Sequence, residues 1–137
     1  YGISSFVYRA RKPFDPQKLH AALNGPLPGV LRAKGHFWVA TQPDWLAEFS
    51  LTGAMTSIKP LGIWWATVPL DRRPEHWQEP FGDRRQELVF IGAGLEKDVI
   101  IAALDAALVE DAHSFTPEAW AHLADPFPKW RRAPDEA

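Results

Sequence analysis

The stretch from residue 30 to residue 41 reads VLRAKGHFWVAT. Leu31, Ala33, Phe37 and Val39 fall on one side of it, and Arg32, Lys34, His36 and Trp38 on the other. Such a period of two, apolar against polar, marks a strand with one buried face. Gly35 sits in its middle, where a missing side chain signals a bulge or a close backbone approach.

Reading outward, residues 3–10 (ISSFVYRA) form another strand rich in β-formers. Ser4, Phe6, Tyr8 and Ala10 share one side, while Ser5, Val7, Arg9 and then Arg11 share the other. Pro13 ends this strand. Asp15 and Pro16 open a helix as N-cap and first helical residue, Leu19, Ala22 and Leu23 give it an apolar stripe, and Asn24-Gly25-Pro26 stops it. Downstream, residues 45–50 and 54–61 read as two short strands around Thr52-Gly53, and residues 63–68 as another. A loop rich in proline, charge and aromatics occupies residues 70–82, and residues 84–92 (RRQELVFIG) form the last strand. Residues 95–109 carry the strongest helical pattern, with Leu95, Val99, Ile100, Ala103, Leu104, Ala107 and Leu108 on one face. Thr116-Pro117-Glu118 opens a short third helix containing Trp120; Phe127 and Trp130 dock an extended tail, and residues 131–137 fray.

Short turns between successive strands require a mainly antiparallel sheet. The expected fold is α+β: a two-layer domain, over residues 1–130, whose antiparallel sheet is covered on one face by two helices.

At 137 residues the chain suits one domain, and 46% hydrophobic against 23% charged residues allows a packed core. A formal net charge of −2 argues against a nucleic-acid binder, and no apolar run approaches membrane-spanning length. The absence of cysteine removes disulfides, thiolate metal sites and cysteine nucleophiles together; it fits a reducing compartment, and a cytoplasmic location is expected. The seven tryptophans serve either as core packing or as a binding surface.

No catalytic motif is complete. The chain lacks GxxxxGK[ST], GxGxxG and GxSxG, and its five histidines have no zinc-ligand spacing. Gly92-Ala93-Gly94 before a helix could cradle an anion but reads first as a strand-to-helix turn. Glu118 with His122, and Asp111 with His113, are each at most half of a metal site; His36 could complete a site built elsewhere. The polar strand positions make a different candidate. Arg9, Arg32, Lys34, His36, Arg84 and Gln86, with Trp38 among them, are expected on the sheet face away from the helices, as an interaction surface. Glutamate at Arg32 and Arg84 is the substitution this expectation selects as a probe.

Several segments together carry a resemblance: residues 30–35 (VLRAKG) continuing to Phe37-Trp38, residues 82–92 (GDRRQELVFIG), the opening residues 3–8 (ISSFVY), Trp64-Trp65, and Asp125-Pro126-Phe127-Pro128. The chain resembles the C-terminal domain of CobW-like proteins, P-loop GTPases that act as metal chaperones or metal-insertion factors. The resemblance covers nearly the whole chain. It implies an accessory domain without its own catalytic or metal residues. GTP, magnesium and a transition metal would belong to an N-terminal GTPase domain of the parent. It further implies contacts with that domain and with a client metalloprotein or second subunit. A direct metal-binding module using histidines and carboxylates is the alternative.

Overall fold

The computed structural model describes residues 2–64 and 79–131. The expected strand over 63–68 and loop over 70–82 therefore lie largely outside the described residues, as do His76 and residues 132–137.

Five strands form one sheet: β1 (Ile3–Ala10), β2 (Val30–Phe37), β3 (Trp45–Thr52), β4 (Met55–Ile63) and β5 (Gln86–Ala93). Their order is β1-β5-β2-β3-β4, and every pairing is antiparallel. Three helices accompany them: α1 (Pro16–Asn24), α2 (Lys97–Ala107) and the single turn α3 (Pro117–Trp120). The Asp15 carboxylate accepts hydrogen bonds from the backbone amides of Gln17 and Lys18, so the N-cap read from the sequence holds α1.

Alternation decides which face is buried. Phe6 and Tyr8 of β1, Ala33 and Phe37 of β2, Ala47 and Phe49 of β3, and Leu88 and Phe90 of β5 all point to one side. There they meet Leu19 and Leu23 of α1 and Ile100, Leu104 and Ala107 of α2. The two helices touch each other and close that layer. This is the expected two-layer α+β arrangement. Tyr8 spans both layers: its hydroxyl donates to the Asp105 carboxylate at 2.8 Å, and burial, then that bond, raise its pKa above the ordinary tyrosine value.

Leu31 departs from the expected pattern. The β2–β5 register shifts between Val30 and Arg32, and Leu31 is left 50% exposed rather than joining Ala33 and Phe37.

Gly35 marks a close approach, not a bulge. It pairs with Leu88 of β5 in unbroken register, and a Cβ there would land on the Glu87 carbonyl oxygen. The β2–β5 pairing is central to the sheet, so no side chain fits at this position.

The C-terminal segment returns to the domain. The Asp125 carboxylate accepts from the Thr41 hydroxyl, the Gln42 side-chain amide and the Phe127 backbone amide. Gln42 also donates to the Pro128 carbonyl and accepts from the Trp130 amide at 2.9 Å. Phe127 and Trp130 stack on one another and complete the main core, as the sequence led us to expect.

Gly35→Ala is predicted to destabilise the domain by about 3 kcal/mol, because backbone must move to admit the methyl group. Gly62, with no heavy atom within 4 Å of a Cβ, is the control. Urea unfolding should show a large fall in midpoint for Gly35→Ala and almost none for Gly62→Ala.

Candidate interaction surface

The sheet face opposite the helices is open, and strand register orders its side chains into rows. Arg9, Glu87, His36, Glu48 and Lys59 cross the five strands in one row. Val7, Val89, Lys34, Ser50 and Ser57 form the next, and Ser5, Ile91, Arg32, Thr52 and Met55 the third.

The first row is charge-compensated. Glu87 lies 3.3 Å from Arg9 and 3.9 Å from both Arg85 and His36, and Lys59 lies 3.6 Å from Glu48. Such solvent-accessible pairs contribute at most about 1 kcal/mol each, and the His36 contact counts as an ion pair only when the imidazole is protonated, so they tidy the surface more than they stabilise it. The other two rows differ. Arg32 and Lys34 are exposed and make no ion pair among the described residues. They flank Val89 and Ile91 around a shallow cavity of about 220 Å³ that Ser50 and Thr52 also line. Val7 and Met55 extend the apolar surface, at 37% and 79% exposure. Two free cations beside apolar side chains suit a partner that is apolar and acidic.

Arg9, Arg32, Lys34 and His36 thus share the open face as expected. Trp38, Arg84 and Gln86 do not: all three are buried. In β5 the inward phase is set by Leu88 and Phe90, and counting back by two puts Gln86 inward as well. Its side-chain amide accepts from the Trp38 backbone N–H at 2.9 Å and donates to the Lys12 carbonyl at 2.6 Å. Trp38 lies past the end of β2 and turns into a second core with Ala40, Trp64, Phe81, Ala112 and Trp120. Its indole N–H donates to the Arg11 carbonyl at 3.1 Å. The Arg84 guanidinium stacks over Phe115 at 4.3 Å from the ring centroid, donates to the carbonyls of Pro43 and Phe81, and lies 3.6 Å from the Asp44 carboxylate. These three residues hold segments of the fold together. Glutamate at Arg84 would probe stability rather than binding.

Among the described residues the histidines form no cluster. His20, His113 and His122 are exposed, and His20 packs its ring edge against Phe127. Among the described residues no group of three or more His, Cys, Asp or Glu side chains could hold a metal ion. Gly92 and Ala93 end β5, and Gly94, at a φ of 64°, turns the chain toward α2; the Ala93 amide donates to the Gly29 carbonyl. Among the described residues no helix is long and apolar enough to cross a membrane.

Comparison with known proteins agrees with this architecture. The family described as cobalamin synthesis protein cobW C-terminal domain matches residues 3–108. The chain belongs to this family. It is 39% identical, over 82% of its length, to a zinc-regulated GTPase metalloprotein activator of Dictyostelium discoideum, of which it covers 26%. It is 35% identical, over 93% of its length, to a zinc chaperone of Mycobacterium tuberculosis, of which it covers 35%. The chain therefore spans about a quarter to a third of these relatives. Among solved structures, the Zn(II)-bound YjiA GTPase from E. coli shares the fold, with a TM-score of 0.60 at 22% identity over 78% of this chain and 30% of that one.

Three predictions come from the buried and half-buried polar groups. Gln86→Leu strands the Trp38 amide and the Lys12 carbonyl, at a predicted cost of about 2–4 kcal/mol, and Arg84→Glu should cost at least about 3 kcal/mol; both are read by urea unfolding. His36 titrates below its ordinary 6.5 because burial, then Arg85, disfavour its cation; Glu87 opposes them more weakly. Below pH 6.5 the unfolded chain takes up a proton that the folded one refuses. His36 therefore adds stability in full above that pH, and the contribution is lost on acidification toward the folded value. An imidazole NMR titration should place the midpoint below 6.5, and His36→Gln should flatten the loss of stability between pH 7 and the acid range.

Proposed function

We propose that this domain is the protein-interaction module of a GTP-dependent metal chaperone or metal-insertion protein. In this reading nucleotide hydrolysis, magnesium binding and metal capture belong to an N-terminal GTPase domain of the same protein. The present domain supplies the contact to a client metalloprotein or second subunit, and the nucleotide state of its neighbour governs that contact. Family membership supports the metal-chaperone setting, since relatives are a zinc chaperone and a zinc-regulated GTPase metalloprotein activator. The observation that carries the interaction role is the uncompensated pair Arg32 and Lys34 beside Val89 and Ile91 on the open sheet face. The direct metal-binding alternative gains no cluster of ligands among the described residues.

The double substitution Arg32→Glu with Lys34→Glu tests the reading. Both residues are exposed, so thermal melting should be unchanged to within about 0.5 kcal/mol of stability. Client capture, assayed by co-purification from cells expressing the intact protein, should fall by about tenfold or more and depend on ionic strength. Undiminished capture by a folded double variant would remove this face as the contact surface.

A further inference from the structure

The sheet has two edges, and they are built differently. β4 carries Lys59 and Pro60, and its register with β3 shifts between Leu46 and Ala47. Charge, proline and a bulge are the devices by which an edge strand avoids pairing with another chain. β1 has none of the three in its central stretch. It pairs with β5 in unbroken register over all eight residues, contains no proline or lysine, and places its one charge at Arg9. Among the described residues no strand pairs with its outer side, which leaves a ladder of backbone donors and acceptors there.

We propose that β1 is a homodimer edge, pairing antiparallel with β1 of a second copy about a two-fold axis at Val7. The register follows from the need to keep buried faces on one side, since a one-residue slip would turn Phe6 and Tyr8 to solvent. An axis at Val7 sets Phe6 opposite Tyr8, Ser5 opposite Arg9 and Ser4 opposite Ala10. No like charges face one another, and aromatic side chains meet on the helix-covered side. Two sheets become one, and neither copy keeps an unprotected edge.

The helix above this strand obeys the same axis. Lys97, Ile101 and Asp105 are spaced four residues apart and share a stripe of α2. Lys97 holds its ammonium 5.9 Å from the Phe6 ring centroid, and Asp105 accepts from the Tyr8 hydroxyl at 2.8 Å. The stripe therefore runs along β1, with Ile101 between its ends and level with Val7. A two-fold axis at Val7 brings the two α2 helices together antiparallel. Lys97 of one copy then faces Asp105 of the other, twice, across a contact between the half-buried Ile101 side chains. Among the registers that keep the buried faces on one side, the charges of α2 select the axis at Val7. A closed contact in which the same patch serves both copies is the ordinary geometry of a homodimer.

Sedimentation equilibrium of the intact protein tests this. The wild type should dimerise, and Lys97→Glu should weaken the dimer by about tenfold or more, because each contact then sets Glu against Asp105. Asp105→Lys should do the same. A mixture of the two variants should associate as a heterodimer, since each new pair is of opposite charge. Asp105→Lys also removes the acceptor of Tyr8, so its melting curve is checked first; should it fail to fold, Lys97→Glu alone decides. A wild type that stays monomeric across the concentration series, or a dimer indifferent to Lys97→Glu, overturns the proposal. The α2 positions lie on the opposite side of the sheet from Arg32 and Lys34, so this result is independent of client capture.

Discussion

The fold depends on one buried amide. Gln86 is fully enclosed at the point where β5 begins, the segment after β1 passes, and β2 ends. Three backbone segments converge there without a regular ladder, which leaves the Trp38 N–H and the Lys12 carbonyl in need of partners. A side chain that both donates and accepts is the simplest way to satisfy them. A satisfied buried amide adds only about 1 kcal/mol, whereas unpaired groups would cost several. The amide is thus a condition on the fold more than a source of stability. Once it is met, Trp38 is held turning away from the sheet, and the second aromatic core can assemble around it.

Arg84 extends the same logic two residues upstream. Its guanidinium joins the β2–β3 connection through Pro43 and Asp44 to the Phe81 turn, while Phe115 covers its face. The segment GDRRQE consequently mixes two kinds of charge. Arg84 and Gln86 are internal fittings, whereas Glu87 belongs to the compensated row outside and Arg85 lies beside it. So polar a stretch can therefore serve packing on one side and surface charge on the other.

Those fittings were the part hidden from sequence. The alternation of Phe6 with Tyr8 and of Ala33 with Phe37 is legible because one side is apolar, and it gives the two-layer architecture directly. The Asp15-Pro16 cap, the stripe of α2 and the docking tail are legible for similar reasons. Polar residues in strands are ordinarily taken to face water, so Arg84 and Gln86 read as surface. Leu88 and Phe90 carried the contrary signal: a period of two extended backward from them puts Gln86 inside. Alternation extended one residue past the end of β2 places Trp38 on the open face, whereas the strand has ended and its side chain turns into the second core. Pairing partners far along the chain, such as Trp38 with Gln86, leave no local trace in either segment.

Once the fittings are set aside, the exposed side chains divide by what they still lack. The row from Arg9 to Lys59 satisfies itself. Among the described residues, Arg32 and Lys34 retain charge without a counterpart, and the outer side of β1 retains backbone groups without a ladder. The two deficits differ in kind and in geometry. Unpaired cations beside apolar side chains can be met by many acidic surfaces, because electrostatic steering tolerates variation in the partner. An open strand edge demands a strand in fixed register, which a second copy of the same sequence supplies without further adaptation. A face of this kind suits a variable partner, and an edge of this kind suits an invariant one. Because β5 lies between the β1 edge and the strand that carries Arg32 and Lys34, one domain has room for both contacts at once.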